Sequence, residues 1–239
     1  MKTELVVCWF RRDLRLEDNA ALYYALELGL PVLPIFIFDT NILNQLEDKH
    51  DKRVAFIHAA LSEMQTRLVA LGSSMEVYYG NPLEVFAQLL EKYQLKQVFA
   101  NHDYEPSAIA RDDSARGSLE KLGIEFESFK DQVIFEKKEI LTNSNTVFSI
   151  FTPYKNNWLK TLQEKNIAAY DCDPIKGQLS AIPKSLQTPF PSLESMGFSP
   201  TGIETYLPPG SEGGQHFLED FLHRIDQYQI GRDFPAIKV

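Results

Sequence analysis

The 239 residues carry 44% hydrophobic and 24% charged side chains, ordinary proportions for a globular protein and outside those of disordered or fibrous chains. A formal net charge of -9 excludes a surface built mainly for non-specific binding to a polyanion, since such binding relies on Lys and Arg displacing condensed counterions. The two cysteines, Cys8 and Cys172, stand outside any CxxC or Cys/His cluster, and no apolar run reaches membrane-spanning length, so neither a disulfide framework, a metal site nor a helical membrane span is expected.

In chain order, five short runs rich in branched and aromatic residues predict strands: Leu5 to Phe10, Val32 to Phe38, Met75 to Tyr79, Gln97 to Ala100 and Ile124 to Phe129. The first ends at Arg11 and Arg12, which cut the opening apolar run too short for a signal segment, so a cytoplasmic, monomeric protein is expected. Arg11, Arg12, Asp13 and Arg15 then crowd the turn into a helix opening at Asn19 or Ala20, with Asp18 and Asn19 as N-cap candidates. Charges so placed are expected to form internal ion pairs that pin the turn, because buried ions persist only when paired.

Between the second and third strands, Val54, Ile57, Leu61, Met64, Leu68 and Leu71 recur at helical spacing and predict a helix lying on the sheet. Gly80, Asn81 and Pro82 follow the third strand as turn, N-cap and first helical residue, and Leu83, Phe86 and Leu90 continue an apolar stripe. Alternation of strand and helix on this scale predicts an α/β fold: a Rossmann-like, doubly wound, five-stranded parallel sheet over residues 1–130. A connecting segment, 131–213, should pack on that domain; its Pro-, Ser- and Gly-rich part from Asp171 to Gly214 reads as a long linker. Residues 214–239 bring back an amphipathic pattern, with Phe217, Phe221, Ile225 and Tyr228 on one face, and predict the first helix of an all-α domain.

Four stretches carry more information than composition does. They are WFRRDLRLEDNAAL from Trp9, NHDYEPSAIARD from Asn101 to Asp112, FTPYKNNW from Phe151 to Trp158, and YQIGRDFPA from Tyr228 to Ala236. In order and spacing the set is similar to the photolyase and cryptochrome family, and the likeness spans nearly the whole chain. It implies an amino-terminal antenna-pigment domain that stops as the helical FAD domain begins. The parent would then be a deoxyribodipyrimidine photolyase, a lyase repairing UV-induced pyrimidine dimers with light and reduced FAD. A cryptochrome-type photoreceptor acting through protein partners is the alternative. A third possibility, related by fold only, is a nucleotide-type α/β domain with no pigment.

The likeness also implies where ligands would sit. An antenna pocket of the deazaflavin or FMN type would draw on Arg11, Phe38, Asp39, Arg53, Asp103 and Glu105, around the carboxyl ends of strands one, two and four. Asp103 and Glu105 are equally readable as caps of the following helix. A methenyltetrahydrofolate antenna is disfavoured, because Ser107 and Ala108 stand where folate-binding relatives carry an Asn-Glu pair. Tyr228 matches a residue that contacts FAD, and Arg232 one on the DNA-facing side; read alone, they are a core aromatic and a cation at a helix end. FAD and UV-damaged DNA are expected to be held through the missing helical domain. No pairing of nucleophile and base is defensible, so these residues alone are expected to be catalytically inert.

Overall fold

In a computed structural model, residues 2–165, 167–172, 179 and 190–234 are described. The Pro-rich stretches 173–178 and 180–189 of the predicted linker, and the end of the YQIGRDFPA string, lie outside them.

The five strands are β1 (Glu4–Phe10), β2 (Val32–Asp39), β3 (Glu76–Gly80), β4 (Gln94–Asn101) and β5 (Glu125–Phe129). They form one parallel sheet in the order β3-β2-β1-β4-β5. β1 and β2 are buried along nearly their whole length, which explains why they read as continuous apolar runs rather than alternating ones. Burying each large apolar side chain contributes roughly 1.5–3 kcal/mol, so the central strands are the main source of stability. β1 pairs with β4 through Val7 against Val98 and Trp9 against Ala100, and β4 continues to β5 through Val98 against Phe126. The chain proceeds from β1 to one side of the sheet and returns for β4 on the other. The strand order therefore reverses between β1 and β4, where open α/β sheets form their ligand crevice.

The helices are α1 (Ala20–Glu27), α2 (Thr40–Leu43), α3 (Lys52–Ala70), α4 (Pro82–Lys92), α5 (Pro106–Glu120), α6 (Phe151–Glu164), α7 (Gly210–Leu222) and α8 (Tyr228–Gly231). α1, α2 and α3 are each N-capped by a side-chain oxygen, from Asn19, Asp39 and Asp51. α3 buries Val54, Leu61, Met64 and Leu68 as its spacing predicts, but Leu71 has passed the helix end and is exposed. On α4 the buried stripe is Pro82, Val85, Phe86 and Leu89, one position away from the predicted Leu83 and Leu90, because two adjacent leucines satisfy either phase. The helix expected to run to Gly231 is broken: α7 ends at Leu222, a 3-10 turn spans Ile225–Gln227, and α8 is a single turn.

The chain divides into two compact units, Met1–Ile35 with Pro82–Ser180 and Phe36–Asn81 with Ala181–Val239. In the first, residues beyond β5 fold back: Phe135 meets Trp158 edge-on at 5.4 Å, Ile140 is buried, and Tyr170 lies 5.5 Å from Tyr23. In the second, residues 190–209 follow α3. His58 Nε2 lies 3.0 Å from the Pro191 carbonyl, Ser199 N–H donates to the Lys49 carbonyl, and Leu193, Met196 and Phe198 are buried.

Candidate functional site

At the strand reversal in the first unit, β1 runs straight into Arg11, whose side chain is 8% exposed. Its guanidinium donates to both oxygens of Asp112 on α5, at 2.9 and 3.0 Å, and to the carbonyl of Asn101 at the end of β4. Burial pulls this guanidinium below its ordinary value, and the Asp112 carboxylate opposes the shift. Arg111 shares Asp112, and both guanidiniums lie over the Trp9 ring, at 4.9 and 5.1 Å. Arg11 thus ties β1, β4 and α5 together.

Behind it is a polar knot that the sequence does not disclose. Asn101 donates to Asp13 Oδ2 at 2.6 Å and to Asn19 Oδ1 at 2.9 Å, and Asn19 also donates to Asp13. The N–H groups opening α1 are each taken: Ala20 by Asp131, Ala21 by Asn101 and Leu22 by Asn19. Asp18, expected as a possible cap, instead takes a positive φ of 45° and accepts from Tyr170 N–H.

The polar groups nearer solvent come from Arg12 and the β4–α5 turn. Arg12, whose side chain is 53% exposed, bridges Asp103 at 3.2 Å and Glu105 at 2.6 Å. Glu105 stands at the N-cap position of α5 but makes no side-chain capping bond; Asp103 Oδ1 accepts from Tyr104 N–H. Beside them, Glu136 accepts from the Tyr104 hydroxyl at 2.7 Å and lies 2.9 Å from His102 Nδ1. Burial and the Glu136 hydrogen bond push the Tyr104 phenol up; Glu136 itself is held down by Tyr104 and His102 against the cost of burial.

In the second unit, Phe38 is buried, meets Phe36 edge-on at 4.9 Å and stacks over His58 at 6.3 Å. Asp39 caps α2 by accepting from Asn41 N–H. Arg53, 76% exposed at its side chain, reaches back to the α3 cap, Asp51, at 2.6 Å, and this bond holds the Asp51 carboxyl below the usual range. Tyr228 opens α8 edge-on to Phe221 at 5.5 Å, and Arg232 lies at its end, 3.7 Å from Asp233. Among the expected pigment residues, the structure brings Asp103 and Glu105 together through Arg12, while Arg11 faces inward. Arg12, Asn101, Asp112 and Asp131 carry this end of the unit; the dense charge after β1 signalled Arg12, the NHDYEPSAIARD stretch contained Asn101 and Asp112, and nothing signalled Asp131.

Among the described residues no helix is long and apolar enough to cross a membrane, and no group of three or more His, Cys, Asp or Glu could hold a metal ion.

Comparison with known proteins agrees with this architecture. The deoxyribodipyrimidine photo-lyase of Synechococcus sp. PCC 6301 is 31% identical over 236 residues, covering 97% of this chain and 48% of that protein. The crystal structure of a class III photolyase from Agrobacterium tumefaciens superposes with a TM-score of 0.79 at 27% identity, over 99% of this chain and 48% of the other. The archaeal photolyase of Sulfolobus tokodaii, whose structure holds two FAD molecules and implies a novel light-harvesting cofactor, matches 70% of this chain and 36% of its own at 30% identity and a TM-score of 0.57. The chain spans about half the length of the curated relatives it matches. The family profile described as DNA photolyase matches residues 6–174, most of the chain, which therefore belongs to the DNA photolyase family.

Proposed function

We propose that this chain is the light-harvesting α/β domain of a DNA-repair photolyase, holding a pigment of the deazaflavin or FMN type. The observation that carries this reading is the superposition on a photolyase over nearly all of the chain. The names of the curated relatives support repair rather than signalling.

The residues proposed to serve the pigment are, in the first unit, Asp103 and Glu105, with Arg11 holding the strand ends from behind. In the second they are Phe38, Asp39 and Arg53. The planar guanidinium of Arg53, whose side chain is 76% exposed, is suited to stacking on a tricyclic ring or bonding its carbonyls. Ser107 and Ala108, at the head of α5, offer no carboxylate to a pterin, which supports a flavin-like pigment over a folate.

In this reading residues 1–130 bind the pigment, 131–213 brace that domain, and 214–239 belong to the helical FAD domain, with Tyr228 facing FAD and Arg232 facing DNA. FAD, held by that domain, would supply the redox chemistry of dimer cleavage, and the protein would position it. This chain by itself is proposed to be inactive in repair. The test is titration of the 239-residue chain with a deazaflavin, FMN and methenyltetrahydrofolate, followed by absorbance. Saturable binding of a flavin-type ring supports the proposal; preference for the folate, or binding of none, contradicts it.

A further inference from the structure

Nucleotide-binding α/β domains place a phosphate against the N-terminus of the helix after β1, where free N–H groups and the helix dipole favour an anion. Such a turn normally needs glycine for close approach of the backbone. Here the turn from Arg11 to Asn19 contains no glycine, and Asp18 takes its positive-φ position.

The N–H groups that a phosphate would use are already spent. Ala21 N–H donates to Asn101 Oδ1 at 2.9 Å and Leu22 N–H to Asn19 Oδ1 at 3.1 Å. Ala20 N–H donates to Asp131 Oδ1 at 3.1 Å, and the same oxygen receives Arg15 at 2.8 Å. The Asp131 side chain is 1% exposed, and its second oxygen, Oδ2, is buried without a hydrogen-bond partner. A carboxylate with acceptor capacity to spare, bonded to a helix N-terminus and an arginine, reproduces what a bound oxyanion would provide. It also reaches this place from beyond β5, 111 residues away along the chain from Ala20. A second anion arriving there would meet Asp13, Asp18 and Asp131 with Arg15 already engaged.

We propose that Asp131 is a built-in substitute for a ligand's phosphate: it occupies the N-terminus of α1, so this unit takes no phosphate there and a pigment must present an uncharged end to it. The consequence for the pigment rests on the antenna reading; the plug itself does not.

The decisive experiment follows the amide resonances of Ala20, Ala21 and Leu22 in the intact chain as inorganic phosphate replaces chloride at constant ionic strength. No saturable shift is expected, and one at Ala20 overturns the proposal. Asp131→Ala vacates the place and should gain a saturable Ala20 shift together with phosphate-dependent thermal stabilisation. Asp131→Asn keeps the place filled and should gain neither. A folded Asp131→Ala protein indifferent to phosphate also overturns the plug; were that variant unable to fold, the wild-type titration still decides. Riboflavin and FMN should bind the wild type within about tenfold of each other, and a much tighter FMN refutes the pigment consequence. Failure of both to bind counts against the antenna reading and leaves the phosphate titration to judge Asp131.

Discussion

The strand-reversal end of the first unit and the helices α7 and α8 of the second use charged residues in opposite ways. At the strand ends Arg11, Asp13, Asn19, Asn101, Asp112 and Asp131 are nearly enclosed, and each has specific partners. Along α7, α8 and the turn between them the pairs are local and solvent-facing, such as Arg224 with Asp220, while Phe217, Leu218, Leu222 and Tyr228 remain exposed. Buried pairs cost several kcal/mol when one member is removed, whereas exposed pairs contribute about 0–1 kcal/mol. The first region is therefore fixed by its own polar network, and the second holds its residues in place only weakly.

Substitutions sharpen that contrast in order of size. Arg11→Ala leaves a β4 carbonyl unpaired and half-strips Asp112, and should cost about 3 kcal/mol or more, read as a lowered urea midpoint. Asn101→Ala removes a cap of α1 and two buried bonds, and should cost about 2 kcal/mol in the same assay. Arg53→Ala and Phe217→Ser should each leave the urea midpoint close to that of the wild type, and a loss as large as that of Arg11→Ala would erase the distinction.

A pH series gives a subtler check on how residues beyond β5 are held. Burial works against the Glu139 carboxylate, but Lys130, the Glu136 N–H and Lys165 hold its pKa at about 2, against an ordinary 4.5. A depressed carboxyl stabilises the fold fully above its unfolded value, and that contribution fades as pH falls from about 4.5 towards 2. Wild type and Glu139→Gln should therefore differ in melting temperature at neutral pH and converge across that window. A constant difference would show that the lysine contacts do not stabilise the folded state.

Much of the sheet was legible because period-two and continuous apolar runs depend on local residue order: β1 and β2 fall within a residue of their predicted limits. β4 begins three residues earlier than expected, at Gln94, since Gln94, Lys96 and Gln97 leave Leu95 as the one apolar residue at its start and the continuous apolar run opens only at Val98. The candidate site was less legible. That charge after β1 must be paired follows from sequence, but that Arg11 chooses Asp112 and Ala20 chooses Asp131 depends on contacts more than a hundred residues apart. Breakage of the last helix at Arg224, which adopts a non-helical φ of -132°, has no apolar signature either.

The central claim is that these residues hold a light-absorbing pigment. Fluorescence anisotropy of a deazaflavin titrated with the wild-type chain and with Asp103→Asn and Glu105→Gln tests it most directly. One pigment per chain, weakened about tenfold by either substitution, is the predicted result. Binding that ignores both substitutions, or that never saturates, would contradict the account.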